Sequence, residues 1–61
     1  MNAPLGKPPR LPSVLVVDDE VRSQESLRRT LEEEFEVFTA SGADEAQVIM
    51  EREFIQLILC D

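Results

Sequence analysis

A chain of 61 residues allows one small domain at most. Its net charge of −7 argues against gripping nucleic acid by the phosphates, its single cysteine excludes an internal disulfide, and the lack of histidine removes the usual zinc ligand sets. No apolar run approaches the roughly 20 residues of a membrane helix and the N-terminus has no signal-peptide apolar core, so no membrane contact is expected.

Residues 1–12 hold all four prolines, together with Gly6, Lys7 and Arg10. Proline removes amide donors and glycine resists ordering, so a flexible or extended leader is expected there. The organised part begins at Ser13. Val14, Leu15, Val16 and Val17 are consecutive apolar residues, three of them β-branched, which reads as a strand covered on both faces. That strand runs straight into three carboxylates, Asp18, Asp19 and Glu20.

From Glu20 to about Glu34 the spacing predicts a helix. Val21, Leu27, Leu31 and Phe35 fall on one stripe at three- and four-residue steps, with the polar Gln24 among them. The run Glu32, Glu33, Glu34 reads as a solvated helix end. Glu36 to Ala40 is a short strand, polar enough to stand at a sheet edge. Ser41 is expected to cap a second helix over about Ala43 to Arg52, with Asp44 completing a capping box. Ala43, Ala46, Ile49 and Met50 are expected to face inward and Val48 is not. The third strand, Ile55 to Cys60, ends at Asp61, and Cys60 is expected to be buried within it. One cysteine in an apolar strand fits a reducing cytoplasm.

The resulting β-α-β-α-β pattern specifies an α/β fold with parallel strands and right-handed crossovers. Spacing leaves two strand orders open, 1-2-3 and 2-1-3. Placing the most apolar strand in the middle favours 2-1-3. That order sets the first strand beside the third, at a switch point where open α/β sheets bind ligands. In a three-strand sheet of that order the apolar third strand would be an exposed edge, and two helices would cover the faces poorly. At least one more strand and helix are therefore expected after Asp61, with residues 13–61 the N-terminal portion of a larger domain.

These residues resemble the receiver domain of two-component response regulators. The likeness is carried by the apolar strand with Asp18-Asp19-Glu20, by the Ser-Gly-Ala-Asp-Glu-Ala start of the second helix, and by Leu57-Ile58-Leu59-Cys60-Asp61. It runs from about Ser13 to Asp61. It implies a flavodoxin-like, doubly wound parallel sheet ordered 2-1-3, of which this is the N-terminal part. It also implies that Asp61 is the phosphoacceptor, and that Asp18 and Asp19 hold Mg²⁺ with Asp61, Asp19 being the more direct ligand of the pair. A sensor histidine kinase is the implied phosphoryl donor. An output domain and a dimer contact would lie beyond Asp61, as would the family's switch Ser/Thr, its Lys and its aromatic switch residue. Such a domain promotes its own phosphorylation and dephosphorylation; this segment alone is expected to be inactive. Receivers usually carry Leu where this chain has Gln47, a difference in packing that leaves the chemistry untouched.

The chemistry suits those residue types. Three carboxylates in one crevice repel one another, and a hard divalent cation removes the conflict. Mg²⁺ prefers oxygen ligands, takes few from protein, and fills the rest with water and phosphate oxygens. Two other functions stay open at this point. One is an interaction module of the same fold that is never phosphorylated. The other is a phosphohydrolase of another α/β class with an Asp nucleophile, although those place Asp-x-Asp on the first strand and here the two aspartates are adjacent. A nucleotide site is disfavoured, because no glycine-rich phosphate loop follows the first strand.

Overall fold

The computed structural model describes residues 11–60. Asp61 and most of the proline-rich leader, residues 1–10, lie outside the described residues. Three strands, β1 (Ser13–Val17), β2 (Glu36–Ala40) and β3 (Leu57–Cys60), alternate with two helices, α1 (Val21–Leu31) and α2 (Ala43–Arg52). The strands form one parallel sheet in the order β2-β1-β3. Of the two orders the sequence left open, the structure adopts the one with the most apolar strand in the centre.

The reason lies in β1 itself. Val14, Leu15 and Val16 are almost wholly removed from solvent, and only a central strand with a helix on each face can shield both sides of a continuous apolar run. Leu15 packs with Ala40 of β2 and Ala46 of α2, bordered by Val17, Phe38, Ile49 and Ile55. Val14 and Val16 point to the opposite face by strand alternation, where Leu27 of α1 shares a cleft with Val16. Removing most of the Leu15 side chain should therefore cost this small core dearly. In the larger domain expected from the sequence, Leu15→Ala should lower the unfolding free energy by about 2–5 kcal/mol in chemical denaturation; a loss near zero would mean that the strand is not packed as described.

β1, β2 and α2 keep the bounds expected from the sequence. α1 is shorter than expected, ending at Leu31 instead of continuing to Glu34. The chain turns there through bonds from the Glu34 and Phe35 amides to the Leu31 carbonyl. Three successive carboxylates at the negative end of a helix oppose its dipole, which favours an early stop. β3 starts two residues late. Ile55 turns into the Leu15 cluster, and the ladder opens with the Gln56 amide on the Ser13 carbonyl at 3.1 Å.

The inward stripes also need correction. Val21, expected inside, is 64% exposed, whereas Gln24 is buried. Val21 is the first residue of α1, past the end of β1. On α2 only Ala46 is buried; Ile49 is partly so, and Ala43 and Met50 are exposed, as is Val48. The α2 cap is displaced by one residue. Gly42, not Ser41, is the N-cap, so the third helical residue is Glu45, and its Oε1 accepts from the Ser41 amide at 2.8 Å in place of the expected Asp44. Cys60 is exposed instead of buried. Neither helix reaches β3, which leaves Leu57 and Ile58 nearly half exposed as well.

Candidate functional site

The carboxyl edge of the sheet is built by what happens after Val17. The Asp18 amide donates to the Ala40 carbonyl at 3.0 Å, one step beyond the β1–β2 ladder. The chain then leaves the sheet. Asp18 Oδ1 accepts from the Glu20 amide at 2.9 Å, closing a tight Asx turn of the kind that short acidic side chains favour. Glu20 caps α1 in extended conformation, and its Oε1 accepts from the Ser23 hydroxyl at 3.2 Å. Asp18 is thus half-buried and tied to the turn, while Asp19 between them is exposed.

Asp18 and Asp19 therefore stand at the carboxyl end of the central strand. The third expected ligand, Asp61, lies outside the described residues, and among those described no group of three acidic, histidine or cysteine side chains is gathered as for a metal ion. The β1–β3 register pairs Val14 with Leu57, Leu15 with Ile58, Val16 with Leu59 and Val17 with Cys60. The last pair immediately precedes Asp18 on one strand and Asp61 in the sequence of the other. The donor chemistry present suits a hard cation: carboxylate oxygens at the end of β1, with Oδ2 of Asp18 taking no part in the Asx turn. No described helix is long and apolar enough to cross a membrane.

A cleft of about 510 Å³ opens beside this edge, between α1 and the β1–β3 pair. Val16, Leu27, Leu59 and Cys60 contribute to its wall, and Asp18 is the one acidic residue among the described residues that line it. It is a gap in apolar cover over β3 more than an anion or cation pocket.

One participant was not singled out by sequence reasoning. Gln24 is the buried polar residue among those described. Its Nε2 donates to the Asp18 carbonyl at 2.6 Å, and contacts the Ala40 carbonyl and the Ser41 hydroxyl at 3.3 Å each. The signal for it was a polar residue at an inward position of an otherwise apolar helix stripe.

No protein-family model and no solved structure matches the chain. Two relatives do. The hydrogenase transcriptional regulatory protein HoxA of Cupriavidus necator is 61% identical over 49 residues, and the protein of the same name from Bradyrhizobium diazoefficiens is 55% identical over 49 residues. The match covers 80% of this chain and 10% of each relative, so the chain spans about a tenth of the length of the proteins it resembles. The parallel sheet ordered 2-1-3 and the acidic pair at the end of its central strand are consistent with a receiver-domain segment, and over 49 residues the chain is similar to these two transcriptional regulatory proteins.

Proposed function

We propose that the carboxyl edge of this sheet is a Mg²⁺-dependent phosphoacceptor site, with Asp61 receiving a phosphoryl group from the phosphohistidine of a sensor histidine kinase. The observation that carries this reading is the β1–β3 register. Were that register to continue by one residue, position 61 would stand opposite position 18, at the spacing of about 4.8 Å usual for neighbouring strands. Asp18 and Asp19 would then hold the cation together with Asp61. In the transfer, a carboxylate oxygen of Asp61 bonds to phosphorus as the phosphorus–nitrogen bond breaks, its electron pair returning to the imidazole ring of the kinase. Bound there, Mg²⁺ would neutralise charge on the transferring phosphoryl oxygens.

The relatives' names extend the reading to the process served. They are transcriptional regulators of hydrogenase, and we read this segment as the input module of a longer regulator with that task. Phosphorylation would bias a two-state surface that an output domain reads.

The test is binding of Mg²⁺, and then of beryllofluoride, by the intact regulator. Both should bind, the second depending on the first. Asp19→Asn should weaken Mg²⁺ by about tenfold or more, because a charged oxygen ligand is lost. Asp18→Asn should weaken it less, because Oδ1 of Asp18 is already engaged with the Glu20 amide. A wild-type regulator that answers neither Mg²⁺ nor beryllofluoride is an interaction module, and the reading fails.

A further inference from the structure

We infer that Gln24 is a positioning residue for the acid pair, fixing the peptide that joins Asp18 to Asp19 from inside the fold. The inference rests on the metal reading above. It begins with a donor deficit. The Asp18 carbonyl lies beyond the last ladder pair of β1, and α1 starts only at Val21. A carbonyl in that half-buried place needs a donor from elsewhere. Gln24, one turn into α1, brings its Nε2 to within 2.6 Å of it.

The same nitrogen has two hydrogens. The second is shared between the Ala40 carbonyl and the Ser41 hydroxyl, both at 3.3 Å. Ala40 also accepts from the Asp18 amide, so Gln24 closes a ring that joins α1, the end of β1, the end of β2 and the turn into α2. Holding the Asp18 carbonyl fixes the plane of the Asp18–Asp19 peptide. That plane sets where the Asp19 side chain leaves the backbone and limits the Asx turn that holds Asp18. A leucine of similar volume would continue the apolar stripe of α1, but would leave the Asp18 carbonyl without this donor. The polar choice at position 24 is thus explained by the site above it, not by the core around it.

Gln24→Met keeps the length of the side chain and deletes the donor. Gln24→Glu keeps the shape and turns an oxygen toward the two carbonyls. Ile49→Ala, on the opposite face of the sheet, serves as a control for lost stability. All three are compared in the intact regulator by Mg²⁺ titration, by unfolding midpoint, and by hydrogen exchange of the Asp18 amide without metal. Both Gln24 variants should raise the Mg²⁺ Kd about tenfold or more, the range typical when a group that orients a ligand is removed. They should also speed exchange at Asp18. Ile49→Ala should leave the Kd within about twofold, as expected for a distant, independent site, even where its midpoint falls as far. A wild-type Kd in Gln24→Met, or equal weakening by Ile49→Ala, overturns the assignment while the metal reading stands. A wild-type regulator that binds no Mg²⁺ overturns both. Should Gln24→Met fail to fold, Gln24→Glu decides by the same thresholds.

Discussion

Asp61→Asn in the intact regulator should abolish labelling by a phosphorylated histidine kinase. Asparagine keeps the shape of the side chain and removes the anionic oxygen that, on the proposed function, forms the new bond to phosphorus. Loss of a nucleophile is the largest effect a single substitution can have on such a transfer, on the order of 10³-fold or more. The measurement is incorporation of radiolabelled phosphate, with Mg²⁺ present, from kinase phosphorylated beforehand. Alkali should release the wild-type label, as befits an acyl phosphate. Mg²⁺ binding should survive the substitution in weakened form, since Asp18 and Asp19 remain. Substantial label on Asp61→Asn would place the acceptor elsewhere, and the register argument from Val17 and Cys60 would lose its chemical meaning.

Much of the framework under the candidate site was legible in the sequence because that framework is local. Val14 to Val17 announce a central strand, and the three carboxylates that follow can stand only at its carboxyl end. The 2-1-3 order followed from one comparison, the apolarity of β1 against β2, and the structure adopts it. What the sequence concealed was of a different kind. The exposure of Val21 and the burial of Gln24 depend on where the sheet ends beneath α1, which no periodicity in α1 reports. The shift of the α2 cap from Ser41 to Gly42 exchanges Asp44 for Glu45 as the residue that reaches back, and a one-residue difference of this sort lies below what spacing resolves. The early end of α1 could have been foreseen. Glu32, Glu33 and Glu34 sit at the wrong pole of the helix dipole. Gln24 shows the more general point. A polar residue on an apolar stripe signals an exception, but the reason for it, a carbonyl six residues earlier, exists only once the strand and helix are folded against each other.

The segment of residues 11–60, produced by itself, should not melt cooperatively. Its fully buried apolar residues are few: Val14, Leu15, Val16, Ala40 and Ala46. Two of these are alanines, which bury little area, so the favourable term rests on three side chains of β1 and their half-buried neighbours. Against it stands the backbone entropy of some fifty ordered residues, at about 1–2 kcal/mol each. Chains near this size fold alone only with an efficient core or a staple, and nothing among the described residues supplies a staple. The apolar surface is also in the wrong place. Neither described helix packs closely on β3, Phe54 is 81% exposed, and Leu57 and Ile58 stand open beside it. An open apolar edge of this type invites pairing with other chains. The expected far-UV circular dichroism is a weak signal with a broad, sloping melt, and light scattering should rise with concentration. In the intact regulator the Asp18 amide should instead be protected from exchange, since its bond to Ala40 depends on a formed β1–β2 pair. A sharp, concentration-independent transition in the isolated segment would mean that Val14, Leu15 and Val16 carry more of the stability than their burial allows. It would also mean that the exposed face of β3 needs no cover to hold its place beside Asp18.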